Sequence, residues 1–276
     1  MKLYSVKNFK VGQNILGFYL CKEKYIKKTR LGDSYIDLIL QDVTGKVRAK
    51  IWNHASHFSN KFTKDEVVAV KGCIVEFNNS PEINIDSINA IADRSYIDYG
   101  YSNKLIIGDE PKDFKKNKKY IESRIARIPG LYSKILTRIY NLYNSKIEKV
   151  PFDNENFFIR GGLLRYTYCL LNIYDSISAY YTGIDSDKLV TCIMIMNIGY
   201  IDYYNDDLFT VSEKAKEFNV NILGINLLSK VLANYKSITD EDRDFLKACI
   251  VFDKNRYDKN ISFAKHLISL GKINNI

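Results

Sequence analysis

The sequence lacks the patterns that mark disulfide-rich, zinc-binding, secreted and membrane proteins. Its five cysteines are scattered, odd in number and never spaced as CxxC, so neither a disulfide framework nor a zinc cluster is indicated. The N-terminus has no signal-peptide pattern, and the most apolar run, 189–196, is far too short to cross a bilayer. We therefore expect a reduced, cytoplasmic protein with no membrane partner.

Common catalytic motifs are missing as well. The chain contains no GxGxxG, Walker loop or GxSxG, and only 3 of its 276 residues are histidines. The adjacent pair Gly161 and Gly162 is better suited to close helix packing than to cradling phosphate. No conventional nucleophile or phosphate-binding loop is therefore predicted.

Positive charge is abundant and unevenly distributed. The formal net charge is +9, with a pI near 9.1. Residues 1–92 carry 14 Lys and Arg against 9 Asp and Glu, residues 93–150 carry 13 against 7, and residues 151–276 carry 14 against 16. A basic front half joined to a slightly acidic back half indicates a nucleic-acid-binding module attached to a second domain.

The stretch 34–52 predicts a β-hairpin with two unlike faces, because side chains alternate along a strand. Asp42, Thr44 and Gly45 supply the turn chemistry. One face is apolar and consists of Ile36, Leu38, Leu40, Val47, Ala49 and Ile51. The opposite face carries Tyr35, Asp37, Ile39, Gln41, Lys46, Arg48, Lys50 and Trp52.

The second face has the cations and rings needed to follow a phosphate backbone and stack bases without reading sequence. The alternative is a solvated strand face with Trp52 folded into the core. Further strands are predicted at 13–24, 67–77 and 82–91, with a helix-compatible stretch at 53–61. Five strands with a short helix after the third is the order of an OB-fold.

An OB-fold binds ligands on its second and third strands and on the flanking loops, here 27–33 and 78–81. The predicted nucleic-acid-binding residues are therefore Lys27, Lys28, Arg30, Tyr35, Lys46, Arg48, Lys50, Trp52 and Asn79.

A helical period replaces the strand pattern after Pro111. Residues 112–149 show apolar positions at helical spacing, and Pro129 with Gly130 divides them into two helices. The lysines at 115, 116, 118 and 119 either extend the nucleic-acid path or form a solvated helix start. The predicted fold is α+β multidomain: a five-stranded OB-fold barrel (1–92), a basic linker with helices (93–150) and an all-α domain (151–276).

Four segments together resemble a known family: VGQNILGFYL (11–20), KVRAKIW (46–52), DEPKDF (109–114) and RGGLLRYT (160–167). In this order and spacing the chain resembles the YhaM family of 3′ to 5′ exoribonucleases, in which an OB-fold precedes a helical HD phosphohydrolase domain. The resemblance implies an HD-like fold for residues 151–276. In that fold imidazoles and carboxylates hold a divalent metal that activates water against a phosphodiester.

This chain departs from the family at the metal ligands. The positions that match them are Asn156, Phe157, Tyr166, Met196, Asn197, Asn221, Asp253 and Lys254. Two of the three histidines, His54 and His57, lie in the predicted OB-fold, which leaves one for the helical domain. The resemblance therefore implies a pseudo-HD domain with no catalytic residue, metal or other cofactor. A magnesium site at Asp202, Asp206 and Asp207 is the less favoured interpretation.

Two functions follow. The favoured one is a non-catalytic protein that binds single-stranded DNA or RNA, with a helical domain that forms a homo-oligomer or docks a protein partner. Frequent Asn, Lys, Ile and Tyr suggest an AT-rich genome, and hence replication or transcription of a phage, plasmid or low-GC bacterium. The alternative is a manganese- or magnesium-dependent 3′ to 5′ exonuclease or phosphodiesterase of the HD class. The small number of histidines favours the non-catalytic binding function, because an HD centre needs several imidazoles as metal ligands.

Overall fold

The computed structural model describes residues 3–91, 96–152, 157–205, 210–251 and 258–273, of which 270–273 are described by their backbone alone. The chain divides into two compact units, Met1–Asp109 and Glu110–Ile276. The segment 93–150 is therefore shared between the two units. Within the described ranges, no helix has both the length and the apolar character that a membrane span needs.

The first unit is a closed five-stranded barrel. Its strands are β1 (Asn14–Lys28), β2 (Ser34–Asp42), β3 (Gly45–Ile51), β4 (Val67–Phe77) and β5 (Ser80–Ala90). They close in the order β1-β2-β3-β5-β4; β3 and β5 pair in parallel, and the other neighbours are antiparallel. A single-turn helix, α1 (Ala55–Phe58), follows β3. This is the OB-fold order, and the fold prediction is confirmed.

The first strand is longer than predicted because it serves two neighbours. Its first part, 14–20, pairs with β4, and its second part, 20–28, pairs with β2. The register shifts between Cys21 and Glu23, and such a bulge bends a strand around a barrel. Lys27 and Lys28 therefore lie in β1, and the loop before β2 is shorter than predicted.

The predicted hairpin of β2 and β3 has the predicted apolar face, whereas Gln41, which was expected on the outer face, is buried. Its six apolar positions are all buried, and they pack in one core with residues of β1, β4 and β5. The turn depends on Asp42, whose Oδ1 accepts hydrogen bonds from the backbone N–H of Thr44 (2.7 Å) and Gly45 (3.1 Å). Its Oδ2 accepts one from the N–H of Val6 (2.8 Å), so the N-terminal segment is tied to the same turn.

The second unit is helical. The predicted break at Pro129 and Gly130 is confirmed, since one helix ends at Arg127 and the next begins at Gly130. A further short helix, α2 (Lys104–Ile107), belongs to the barrel unit. The helices of the second unit are α3 (Phe114–Arg127), α4 (Gly130–Ile147), α5 (Gly162–Ile177), α6 (Ser186–Ile195), α7 (Tyr200–Tyr203), α8 (Glu213–Glu217), α9 (Val220–Leu232), α10 (Asp240–Val251) and α11 (Lys259–Ile273).

The glycine pair at the start of α5 permits close packing. Gly161 has φ +73°, a left-handed conformation that favours glycine. A Cβ on Gly162 would lie 1.8 Å from the carbonyl oxygen of Phe157, so a side chain there would collide with backbone. The pair therefore fits the packing role expected from the sequence.

Candidate nucleic-acid interface

The outer face of the β2–β3 hairpin forms a continuous surface with the neighbouring strands. Register places Tyr35 opposite Lys27 of β1, and Asp37 between Tyr25 of β1 and Lys50 of β3. On the other side of β3, Arg48 lies opposite Glu82 of β5 and Lys50 lies opposite Asn84. The face therefore combines aromatic, cationic and carboxylate side chains from four strands.

Two aromatic rings on this face stack on each other. The centroids of Tyr35 and Trp52 are 4.7 Å apart with an interplanar angle of 25°. Trp52 is 44% exposed, and its Nε1–H donates to Oδ1 of Asn84 on β5 (3.0 Å). The tryptophan is thus held at the surface as an oriented platform, outside the barrel core.

Lys50 differs from the other lysines of the face because its side chain is only 13% exposed. Its Nζ lies 3.1 Å from Oε2 of Glu82, whose side chain is 5% exposed. The same ammonium lies over the rings of Phe77 (4.3 Å to the centroid) and Trp52 (5.2 Å). The ammonium of Lys50 is therefore already engaged by protein side chains.

The remaining cations of the hairpin face are more accessible. Lys27 is ion-paired with Asp37, although its side chain stays 47% exposed. Lys46 and Arg48 are exposed. Arg48 has no hydrogen-bond or ion-pair partner among the residues that the structure describes. Arg48 is consequently the cation of this face best placed to meet a phosphate.

The loop residues lie at the edges of the barrel. Lys28 ends β1, and Arg30 is exposed in the loop that follows. Asn78 (φ 49°) and Asn79 (φ 58°) form the two-residue connection between β4 and β5. Two consecutive left-handed residues are typical of a type I′ hairpin turn, so this loop is shorter than predicted, and Pro81 lies in β5.

Sequence reasoning missed four side chains of this face: Tyr25, Phe77, Glu82 and Asn84. Tyr25 is 53% exposed and Phe77 is 45% exposed. Tyr25 could have been found from its alternation with Lys27, and Phe77 from its place at the end of a predicted strand. Nothing local indicated Glu82 or Asn84, because their contacts with Lys50 and Trp52 depend on the pairing of β3 with β5.

Of the positions that the family resemblance assigned to metal ligands, Phe157, Tyr166 and Met196 are buried, and the first two are aromatic. Tyr166 stacks on Phe152 (4.1 Å, 14°) and meets Phe157 edge-on (5.2 Å). Burial raises the pKa of Tyr166 to about 12, so its phenol stays protonated at neutral pH. Met196 follows the last residue of α6 and is buried, whereas Asn197 and Asn221 are half-buried. Asn156, Asp253 and Lys254 lie outside the described residues.

The acidic cluster and the histidines form no metal centre in the described ranges. Asp202 pairs with Lys146 and Lys214, both at 3.7 Å, and Asp206 and Asp207 lie outside those ranges. His54 and His57 are exposed, and Nδ1 of His266 lies 2.8 Å from the carbonyl oxygen of Ser262 in its own helix. No group of three His, Cys, Asp or Glu side chains gathers anywhere in the described part of the chain.

Comparison with known proteins supports the fold of the barrel and finds a relative that is similar over most of the chain. Residues 24–91 match the profile of the OB-fold nucleic acid binding domain family. The chain is 21% identical over 226 residues to the 3′-5′ exoribonuclease YhaM of Halalkalibacterium halodurans. That alignment covers 75% of this chain and 65% of the relative, so the chain spans just under two thirds of the relative's length.

Two solved structures are similar to the barrel. One is the second OB-fold domain of replication protein A from Methanococcus maripaludis (21% identity, 33% of this chain, 97% of that chain, TM-score 0.29). The other is a replication factor A related protein from Methanobacterium thermoautotrophicum (18%, 33%, 91%, TM-score 0.28). The fold assignment itself follows from the strand order and the domain profile. The chain therefore carries an OB-fold followed by a helical unit and is similar to the exoribonuclease YhaM, as its sequence segments indicated.

Proposed function

We propose that this protein binds single-stranded nucleic acid, DNA or RNA, on the outer face of its OB-fold and does not cleave it. The observation that carries the proposal is the stack of the exposed Trp52 ring on the half-buried ring of Tyr35. Bases stack on such rings whatever their sequence, and each stacked base contributes roughly 1–3 kcal/mol. Arg48, Lys27 and Lys46 supply positive charge on the same face, and the exposed cations Lys28 and Arg30 lie at the end of β1 and in the loop that follows.

The test uses Trp52, the single tryptophan of the chain, as the reporter. Titration of the full chain with short oligothymidine or oligouridine should quench tryptophan fluorescence, because a base that stacks on the indole alters its environment. A DNA duplex of the same length is the control and should quench it far less. Absence of quenching by every single strand would contradict the proposal.

The non-catalytic part of the proposal is supported by the side chains of the helical unit. The ring packing of Phe152, Phe157 and Tyr166 fills the region with groups that do not ligate a divalent metal, and Met196 is a buried thioether. These residues do not fit the imidazole and carboxylate donors that an HD centre requires. We accordingly propose that the helical unit serves assembly or partner docking.

One observation favours the alternative function, a metal-dependent 3′ to 5′ exonuclease. The chain is similar over 75% of its length to a protein named as a 3′-5′ exoribonuclease. Incubation of the purified chain with 5′-labelled RNA and DNA in manganese or magnesium separates the two functions. Intact substrate supports the binding function, and a ladder shortened from the 3′ end supports the exonuclease.

The cellular setting is also a proposal. All five cysteines are free in the structure, which suits a reducing cytoplasm. The Asn-, Lys-, Ile- and Tyr-rich composition suits replication or transcription in a low-GC bacterium, phage or plasmid.

A further inference from the structure

The outer face of the barrel contains a carboxylate, Glu82, although a negative charge there would repel the phosphates of a bound strand. Glu82 is 4% exposed and lies opposite Arg48 of β3 and Val75 of β4. Its Oε2 pairs with Nζ of Lys50 at 3.1 Å but accepts no well-directed hydrogen bond from the described residues. A buried ion pair is costly to desolvate, and a negative charge beside a phosphate path weakens binding. Attraction of phosphate therefore does not explain why this ion pair is present at the face.

Two aromatic rings border this pair. The Lys50 ammonium lies 4.3 Å from the ring centroid of Phe77 and 5.2 Å from that of Trp52. Both rings are nearly half exposed, at 45% and 44%. The hydrogen bond from Trp52 to Asn84 fixes the orientation of the indole. The ammonium of the pair therefore lies beside both exposed rings, next to the surface on which a base would stack.

The chemistry of the pair matches one base better than the others. The Watson–Crick edge of guanine presents an acceptor, O6, beside two adjacent N–H donors, N1–H and N2–H. A carboxylate accepts the two donors in a bidentate arrangement, and an ammonium donates to O6. Adenine, cytosine, thymine and uracil each present a single Watson–Crick donor to the carboxylate. Guanine alone satisfies both members of the pair with three hydrogen bonds.

We propose that Glu82 and Lys50, between Trp52 and Phe77, form a base-recognition pocket that prefers guanine. This inference rests on the proposed function, because it requires that the face binds a single strand. It adds sequence preference at one position to a surface whose stacking platform is otherwise indifferent to sequence.

The experiment measures the affinity of the full chain for labelled oligothymidine that carries one central guanine, one central adenine, or neither. Oligouridine and oligodeoxyuridine series are run in parallel, so that the sugar is varied while the base stays the same. At a fixed salt concentration, the guanine oligonucleotide should bind about tenfold more tightly than the adenine one. Equal affinity of the two would overturn the proposal.

Substitution of the carboxylate provides the second arm. Glu82→Gln should abolish the difference between guanine and adenine, and the guanine-to-adenine ratio is the readout whatever the variant does to affinity for plain oligothymidine. Since this variant leaves Lys50 half-buried without its counter-charge, Glu82→Gln combined with Lys50→Met is measured as well. The same loss of preference is expected there.

The outcomes are distinct from one another. A guanine preference that survives in both variants would overturn the role of Glu82. A merely structural role of the pair would weaken binding to all oligonucleotides alike without changing the guanine-to-adenine ratio, and would also overturn it. A wild-type chain that binds no single strand contradicts the proposed function itself, and this result differs from binding without base preference.

Discussion

One face of β3 carries three cations at every second position, Lys46, Arg48 and Lys50, but the surroundings of these side chains differ. Lys50 lies against two rings and a buried carboxylate, whereas Arg48 is exposed. A cation that is held by protein groups must break those contacts before it can neutralise a phosphate. We therefore expect Arg48 and Lys50 to contribute to binding in different ways, although the alternation of side chains along the strand predicts the same face for both.

The first residue-scale prediction concerns stacking. Trp52→Ala should weaken binding to single strands by about 1–3 kcal/mol, because the base loses its platform. Thermal stability should change little, since the indole is 44% exposed. Fluorescence anisotropy of a labelled strand measures the affinity, and circular dichroism measures the melting temperature. Tyr99→Ala, which removes a 59% exposed ring elsewhere in the same unit, is the matched control and should bind normally. A large loss of stability with unchanged affinity would assign Trp52 to packing.

The second residue-scale prediction concerns charge. Arg48→Gln should reduce the steepness of the log–log dependence of affinity on salt by about 0.7, the contribution of one neutralised phosphate on a single strand. Binding at several salt concentrations gives the slope. Lys71→Gln is the control, because Lys71 is an exposed cation of β4 that the site does not include. An unchanged slope in Arg48→Gln would place the phosphate path elsewhere.

At the scale of elements, the β2–β3 hairpin depends on its turn. Asp42 is 5% exposed and accepts hydrogen bonds from the backbone of Thr44, Gly45 and Val6. The carboxylate therefore fixes the register in which Tyr35 and Trp52 meet. A one-residue slip would exchange the core and outer faces of the strand.

Removal of this carboxylate tests the point. Asp42→Ala should lower the free energy of unfolding of the barrel by about 2–3 kcal/mol, because several charge-assisted hydrogen bonds of a buried carboxylate are lost. Denaturant titration followed by the fluorescence of Trp52 reports this unit specifically. Asp42→Asn should lose less, because its amide oxygen still accepts, and Asp33→Ala in the exposed loop should lose little. Equal stability of wild type and Asp42→Ala would refute the role of the turn.

At the scale of the whole molecule, a barrel with a proposed binding face is followed by a helical unit in which three family-related positions, Phe157, Tyr166 and Met196, hold two rings and a thioether. Phe152, Phe157 and Tyr166 pack in one cluster, and Tyr200 joins it through Phe152 (5.1 Å). Such interlocked rings stabilise the fold by apolar burial and by ring–ring geometry. We infer that the unit keeps a scaffold role.

The corresponding prediction is that introducing the His-Asp pair of the HD family at two positions does not produce catalysis. Met196→His with Asn197→Asp should produce no manganese-dependent cleavage, because Phe157 and Tyr166 still provide no ligands. The variant should also melt at a lower temperature, since a polar or charged group enters the 3% exposed site of Met196 at a cost of several kcal/mol. Denaturing gels and thermal melts measure the two effects. Manganese-dependent exonuclease activity of the wild type that disappears in Asn197→Ala would contradict the proposed function.

The sequence by itself determined the parts that depend on local periodicity. Alternation assigned Ile36 and Val47 to the core and Tyr35 and Arg48 to the outer face, and Pro129 with Gly130 set the break between two helices. The order of strands then gave the OB-fold. These features depend on neighbours in sequence, and the physical rules for them act within a few residues.

The tertiary structure alone decided what surrounds each side chain. Closure of the barrel with β5 between β3 and β4 brings Glu82 and Phe77 to Lys50, and Asn84 to Trp52. The double pairing of β1 carried that strand past its predicted end. These contacts join residues some thirty positions apart and follow from strand order and register. The alternation of side chains within one strand does not predict them. Which cations are exposed, and which carboxylate lies beneath them, was therefore settled only by the folded chain.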